Sequence, residues 1–211
     1  MVATRDPKQE RAIRTRDLIV RAAAEVFEES GYHAASVAKI SAKAGVTQGA
    51  LYFHFKTKQA IAQEVMHAQG SFVQIPDEGR GLQRLLDVNF YLARELQRNV
   101  LFRAGVRLAV EQGEIGIQDA SAYQGWADQF HEILVEAREE GELLADVDER
   151  EFAQVLVGAY SGTQLYSKVA TGSVDLIERI ASLWRYLLPG IATAEALARL
   201  SVRPNWAEPR G

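Results

Sequence analysis

The segment Ser36–Lys58, SVAKISAKAGVTQGALYFHFKTK, constrains the fold most strongly, because it predicts two short helices joined by a tight turn. One apolar face, at helical spacing, is formed by Val37, Ile40 and Ala44. Ser36 is the predicted N-cap of the first helix, and Thr47 is that of the second. Gly45 follows the first helix, where glycine readily adopts the left-handed conformation that ends a helix. A turn of three to four residues containing glycine is typical of a helix-turn-helix.

The second helix of this motif begins with the residues that would meet base edges in the major groove of DNA. Thr47 and Gln48 can both hydrogen-bond to bases, and Gln48 can do so in a bidentate way with adenine. Gly49 is small enough to let the backbone approach DNA closely. Phosphate contacts, which position a protein without reading sequence, are predicted for Tyr52, His54 and Lys58. Core packing remains an alternative for the aromatic residues Tyr52, Phe53 and Phe55.

The charges of the chain are divided unequally along its length. The net charge is −4, yet residues 1–60 carry ten Lys and Arg against six Asp and Glu. A basic N-terminal part on an acidic remainder concentrates phosphate attraction at one end of the molecule. The absence of cysteine excludes disulfides and thiolate sites. No signal peptide and no membrane span are predicted, so we expect a cytoplasmic protein that is nucleoid-associated when bound to DNA.

Residues 11–65 resemble the N-terminal domain of the TetR family of transcriptional repressors. The shared features are a first helix rich in small residues, an aromatic residue after Gly31, the AGV-T turn and the Y-x-H-F-x-x-K run. The resemblance implies a three-helix DNA-binding domain, a homodimer with two-fold symmetry and a separate ligand-binding domain. We include Lys43, at the end of the first motif helix, among the DNA-binding residues.

Nearly every other segment has helical periodicity, which predicts an all-α fold of about nine to ten helices. Outside the motif, helices are predicted at 8–30, 58–70, 82–98, 100–112, 120–140, 148–168, 174–188 and 192–200. We predict a helix-turn-helix domain at 1–57, a larger ligand-binding and dimerisation domain at 58–201 and a flexible tail at 202–211. Residues 58–70 form a connector helix that begins the second domain.

The predicted dimer interface is an apolar stripe on the 174–188 helix. The stripe consists of Leu176, Ile180, Leu183, Trp184 and Leu187. The family resemblance implies that the last two long helices pair across a two-fold axis into a four-helix bundle. Burial of the stripe within one chain is the competing explanation.

The C-terminal two thirds resemble the γ-butyrolactone-receptor branch of the family, in which a Trp lies over a small lactone or butenolide. The similar segments are RAGVRLAVEQ (103–112), the lone Trp126 of its helix, GELL (141–144) and LVGAYSGTQ (156–164). The resemblance implies polar pocket residues at Gln63 and Thr163, with Ser161 as the rival of Thr163. Aromatic candidates for the pocket wall, with ordinary core packing as the alternative, are Phe90, Phe130 and Tyr160.

These observations predict a ligand-released repressor that binds a palindromic operator as a homodimer. The effector would be a γ-butyrolactone or butenolide. Two alternatives stay open: a related regulator that responds to an antibiotic or its intermediate, and a regulator with no small-molecule ligand. No catalytic pattern, metal site or cofactor motif is found, so an enzyme is not expected.

Overall fold

The computed structural model describes residues 7–75, 77–204 and 206, and in that part of the chain the fold is all-α, as predicted. The α-helices, in chain order, are α1 (Pro7–Ala34), α2 (Val37–Ala44), α3 (Gln48–His54), α4 (Lys58–His67), α5 (Gly81–Arg98), α6 (Val100–Glu111), α7 (Ser121–Glu139), α8 (Glu149–Thr171), α9 (Leu176–Leu187) and α10 (Ala194–Arg199). No helix in the described ranges is long and apolar enough to cross a membrane.

Local capping explains why most helices begin and end where the sequence predicts. Asn99 breaks the chain between α5 and α6, and its side-chain oxygen accepts hydrogen bonds from the amides of Leu101 and Phe102 at 3.1 Å each. The Asp148 carboxylate accepts a hydrogen bond from the Glu151 amide at 2.8 Å, which caps α8. Each such bond satisfies an amide that has no partner inside its helix.

The packing divides the chain into two compact units, Met1–Val73 with Asn99–Asp119, and Gln74–Arg98 with Ala120–Gly211. The first unit therefore contains α4 and α6 in addition to the helices α1 to α3. These units are defined by packing and differ from the predicted division after residue 57, which concerns function and stays a prediction.

The core of the first unit is formed by residues of α1, α2, α3, α4 and α6. Its buried apolar residues include Ile19, Ala23, Phe27, Ile40, Leu51, Ile61, Val65 and Phe102. Ile13 and Leu18 of α1 lie outside this core, because both are more than a third exposed. At about 100° per residue, Leu18 lies about 140° from Ala23, which is the centre of the buried face of α1.

The crossing of α6 over α4 depends on the absence of a side chain at Gly105. A Cβ atom there would lie 2.7 Å from the Gln69 Cβ and 3.0 Å from the Val65 carbonyl oxygen. An ion pair also ties α6 to α1, with the Arg103 Nε 2.6 Å from the Glu28 Oε1. The first unit is therefore held by contacts between residues that are far apart in sequence.

The second unit is built on α5, which packs against α7 and α9, while α8 packs against both α7 and α9. Its fully buried large side chains include Leu82, Leu85, Leu86, Phe90, Leu134 and Trp184. The buried carboxylate of Glu142 accepts a hydrogen bond from the Leu82 amide at 2.7 Å, in the first turn of α5. A carboxylate at that position also complements the helix dipole.

The C-terminal segment contacts α5 at two points in its described part. The Gln83 side chain exchanges hydrogen bonds with the Ser201 main chain, at 2.9 Å to the amide and 3.3 Å to the carbonyl oxygen. The Trp206 ring lies 4.3 Å from the Arg94 guanidinium carbon. Of the tail predicted to be flexible, residues 205 and 207–211 lie outside the described residues, and its flexibility stays a prediction.

The turn between α8 and α9 is organised by one carboxylate. Asp175 Oδ1 accepts hydrogen bonds from the Ser167 hydroxyl at 2.6 Å and the Thr171 hydroxyl at 2.8 Å. Its Oδ2 accepts one from the Arg179 Nε at 2.7 Å. These bonds, chiefly the one from Ser167, hold the pKa of Asp175 below its ordinary value.

The first prediction concerns the α4–α6 crossing. We expect Gly105→Ala to lower the melting temperature, because its new methyl group meets backbone atoms that cannot move aside cheaply. The matched control is Gly125→Ala, also inside a helix, where no atom lies within 4 Å of the position that a Cβ would take. Alanine there should stabilise the protein by about 0.5–1 kcal/mol. Equal shifts for the two variants in thermal denaturation would refute the close approach of α4 and α6 at Gly105.

The second prediction concerns the pH dependence of the α8–α9 turn. Because the folded-state pKa of Asp175 is lowered, its stabilising contribution is present above the ordinary carboxylate pKa and is lost as the pH falls through the folded value. The melting-temperature difference between wild type and Asp175→Asn should therefore be present at neutral pH and shrink below about pH 4. The exposed Asp146→Asn control should show no such difference. A difference that persists at low pH would refute the assignment.

Candidate nucleic-acid interface and effector site

The turn between α2 and α3 has the geometry that its sequence predicts. The Lys39 amide donates to the Ser36 hydroxyl oxygen at 3.2 Å, so Ser36 caps α2. Gly45 ends α2 in the left-handed region, with φ at 67°. The Ala50 amide donates to the Thr47 hydroxyl oxygen at 3.1 Å, so Thr47 caps α3. The side chain of Thr47 thus has a structural role in addition to its predicted contact with bases.

Two buried residues fix the orientation of α3. Leu51 is fully buried and Phe55 nearly so, and the Arg16 guanidinium lies 5.0 Å from the centre of the Phe55 ring. The residues that α3 leaves exposed include four predicted for DNA contact, which are Thr47, Gln48, Gly49 and Tyr52. Phe53 is 75% exposed, and its ring meets the half-buried His54 ring edge-on at 5.3 Å.

The protein itself does not require glycine at position 49. The nearest atom to a Cβ there would be the Thr47 hydroxyl oxygen, at 3.9 Å. The φ of Gly49 is not in the left-handed region either, because it is not among the glycines with positive φ. The close approach of DNA at Gly49 stays a prediction.

Two lysines predicted to contact DNA are engaged with the protein. The Lys58 ammonium donates hydrogen bonds to the carbonyl oxygens of Tyr32 at 2.8 Å and Ala35 at 2.9 Å, and it lies 4.3 Å from the centre of the Tyr32 ring. The Lys43 ammonium lies 2.9 Å from a Glu25 carboxylate oxygen and 2.5 Å from one of Glu29, which raises the Lys43 pKa. Lys58 thereby stabilises the chain between α1 and α2, and the phosphate contacts of both lysines stay predictions.

Four of the predicted effector residues lie in or against the core of the second unit. Phe90, Phe130 and Tyr160 are buried, and the half-buried Trp126 has its ring 6.2 Å from that of Phe130. The Tyr160 hydroxyl donates to the main-chain oxygen of Asn89 at 3.2 Å, and burial raises the Tyr160 pKa. The aromatic candidates are thus distributed over α5, α7 and α8.

The two predicted polar pocket residues differ in their surroundings. The Thr163 hydroxyl donates to the Ala159 carbonyl oxygen at 2.8 Å, so its proton is used within α8. Its oxygen can still accept a hydrogen bond, and its rival Ser161 is half-buried on the same helix. Gln63 is half-buried on α4 and belongs to the first unit.

A separate groove of about 490 Å³ runs between α7 and α8. It is lined by Tyr123, Gln124, Ala127, Asp128, Arg150, Gln154 and Val157. None of the predicted effector residues lines this groove, and an exposed ion pair between Arg150 and Asp128, at 3.3 Å, lies within it. The groove is therefore distinct from the predicted aromatic site.

The apolar stripe predicted as a dimer interface lies largely inside the second unit. Leu176, Ile180 and Trp184 are buried within the chain, because α9 packs on α5 and α8. The interface prediction is therefore wrong for these three residues, while Leu183 and Leu187 are half-buried. Large apolar side chains that remain exposed on α8, on α9 and in the turn between them are Val155, Leu165, Tyr166, Val169, Val174 and Tyr186.

A capped turn that presents a short polar helix, together with a separate helical unit, defines a DNA-binding regulator of the helix-turn-helix class. Residues 19–65 match the model of bacterial regulatory proteins of the tetR family, and residues 80–193 match that of the tetracyclin repressor-like C-terminal domain. The chain belongs to the TetR family. It is accordingly a transcriptional regulator and not an enzyme.

Several relatives extend this similarity over most of the chain. The A-factor receptor protein of Streptomyces griseus is 39% identical over 92% of this chain and 69% of its own length. The TetR regulator TylP from Streptomyces fradiae is 39% identical, with a TM-score of 0.79 over 91% of this chain and 93% of that one. A γ-butyrolactone receptor (ArpA-like protein) is 30% identical, with a TM-score of 0.63 over 90% and 94%. The predicted resemblance to the γ-butyrolactone-receptor branch is confirmed.

The third prediction concerns Lys58. We expect Lys58→Met to lower the melting temperature, because it removes the ammonium that bridges the Tyr32 and Ala35 carbonyl oxygens. A loss of about 1 kcal/mol corresponds to about 2–4 °C in a chain of this size. Lys56→Met, at an exposed position two residues earlier, is the matched control and should leave the melting temperature unchanged. If Lys58→Met also left it unchanged, the structural role of Lys58 would be refuted.

Proposed function

We propose that this protein is a transcriptional repressor that binds a palindromic operator as a homodimer and is released by a small lactone. The observation that carries the DNA-binding part is the exposed N-terminal end of α3, held by the Thr47 cap and by buried Leu51. Gln48 reads base edges there, and Tyr52 and His54 hold the phosphate backbone. The site of action is the bacterial chromosome.

Self-association is supported by the apolar residues that one chain leaves uncovered on α8 and α9. Tyr186 and Val169 are each at least 80% exposed, and Tyr166 and Leu165 lie nearby in sequence on α8. Gly158 and Gly162 have no atom within 4 Å of the place where a Cβ would lie, so another helix can approach α8 there. A two-fold dimer would place its two α3 helices on half-sites separated by about one helical turn of DNA, roughly 34–36 Å, or somewhat more.

The effector class is supported by the aromatic side chains of the second unit and by the similarity to γ-butyrolactone receptors. Trp126, beside Phe130, offers a flat apolar face for a lactone or butenolide ring. Thr163 supplies a polar contact. Release requires that the lactone binds more tightly to the state that cannot bind DNA, since equal affinity for both states shifts nothing.

The fourth prediction tests the DNA-binding part of this function. We expect Gln48→Ala to weaken binding to an operator selected from random duplex DNA by about tenfold or more, because a bidentate base contact is worth about 1–3 kcal/mol. Gln118→Ala, an exposed glutamine of the first unit outside the motif, is the matched control. Gel-shift titration measures both. Equal operator affinity of the two variants would refute the role of α3.

The same titration, repeated with a synthetic γ-butyrolactone, tests the effector half. Trp126→Ala should bind the operator normally and resist release, because the flat contact with the lactone is lost. Trp206→Ala makes the same chemical change elsewhere in the second unit and should be released like wild type. Wild-type protein that is released by an antibiotic and not by butyrolactones or butenolides would show that the proposed effector class is wrong.

A further inference from the structure

Asn89 is a polar residue at the centre of the apolar stripe of α5. One turn to either side of it the stripe contains buried Leu85 and Ala93, and buried leucines continue it at both ends. The Asn89 side chain is fully buried, with 0% of its surface exposed. Leucine would fill this position without a cost of burying polar atoms, so the amide needs a separate explanation.

The hydrogen bonds of Asn89 leave one buried acceptor without a donor. Its Nδ2 donates to the Leu85 carbonyl oxygen at 3.0 Å, and its main-chain oxygen accepts from the Tyr160 hydroxyl. No donor among the described residues reaches its Oδ1. Rotating the amide by 180° does not help, because two oxygens would then face each other at Leu85. The orientation of the side chain is therefore fixed by its own helix.

In the described part of the second unit, Arg84 Nε and Trp184 Nε1 are also buried without a hydrogen-bond partner, but both are donors, so Asn89 Oδ1 is the unpaired acceptor. Two other buried polar side chains of this unit are paired. The Glu142 carboxylate accepts the Leu82 amide, and the Ser167 hydroxyl donates to Asp175. The neighbouring Tyr160 cannot supply the missing donor, because its one hydroxyl proton is already given to the Asn89 main chain. The group that completes Asn89 must therefore come from outside the described part of the chain, and it must be a hydrogen-bond donor.

We infer that Asn89 selects the effector by accepting a hydrogen bond from an alcohol on it, through the unpaired Oδ1. This inference rests on the proposed function and adds a requirement to it. Asn89 is bonded to Tyr160 and adjacent to Phe90, which are two of the proposed effector residues. A ketone at the same place on the ligand offers only another acceptor and leaves the Asn89 oxygen unpaired.

The test uses two synthetic γ-butyrolactones with the same alkyl side chain, one with an alcohol on that chain and the other with the corresponding ketone. Operator release from the full-length protein is followed by fluorescence anisotropy as each lactone is added. Wild type should require about tenfold less alcohol than ketone, which is the effect of about 1.4 kcal/mol. In Asn89→Leu the two lactones should act within about twofold of each other, since no unpaired acceptor remains.

Two controls separate selection from stability. Asn89→Leu should bind the operator as wild type does and melt at the same or a higher temperature, because it replaces an unpaired polar group by an apolar one of similar size. Ser167→Ala, which removes a satisfied buried hydroxyl, should melt at a lower temperature and keep the preference for the alcohol. This pattern would support a role for Asn89 in the effector site.

Three outcomes would overturn the inference. An unchanged alcohol-to-ketone ratio in Asn89→Leu would mean that water alone satisfies Oδ1, and it would leave the proposed function intact. Equal release of wild type by both lactones would show that Asn89 does not select between them, and it would also leave the proposed function intact. A wild-type protein released by neither lactone would overturn the proposed effector class and this inference together.

Discussion

The predicted DNA-binding face depends on α3, a helix of only seven residues, which is too short to be stable by itself in water. It is stabilised by a cap at its first turn and by the burial of the side that faces the rest of the unit. Thr47 caps the first turn, and Leu51 and Phe55 are buried against the rest of the unit. Because these contacts occupy one side of α3, the opposite side presents Gln48 and Gly49 to solvent. The face that could read DNA therefore exists only when the first unit is folded.

A second constraint is that each helix has a limited apolar surface. The part that is buried by packing within the chain is not available to a partner chain. On α9 the packing buries Ile180 and Trp184, so these residues are not available to a partner chain. Tyr186 on α9 and Val169 on α8 are left exposed instead. The sequence alone showed that α9 has an apolar stripe, but it could not show what covers that stripe. The competing explanation, burial within one chain, is therefore correct for Ile180 and Trp184.

Buried polar groups differ in whether they have a hydrogen-bond partner. In both units several of them are paired over long distances in sequence, as with Arg103 and Glu28 or Glu142 and Leu82. Glu28 pairs through Oε1 although its Oε2 is unpaired, whereas the one side-chain acceptor of Asn89, Oδ1, is left without a donor in the described chain. A sequence signal for Asn89 existed, since it is a single amide in the apolar run LLDVNFYLA. Only the hydrogen bonds of the folded structure distinguish an unpaired amide from a paired one.

The sequence by itself determined the helices, their caps and the family. The caps at Ser36, Thr47 and Asp148 could be predicted because the bond from a cap to its amide spans only three residues. The tertiary structure alone decided that Lys58 bonds to Tyr32, 26 residues away, and that Trp184 is core. Such partners depend on how the helices cross, and a periodic pattern gives the face of a helix but not the neighbour that covers it.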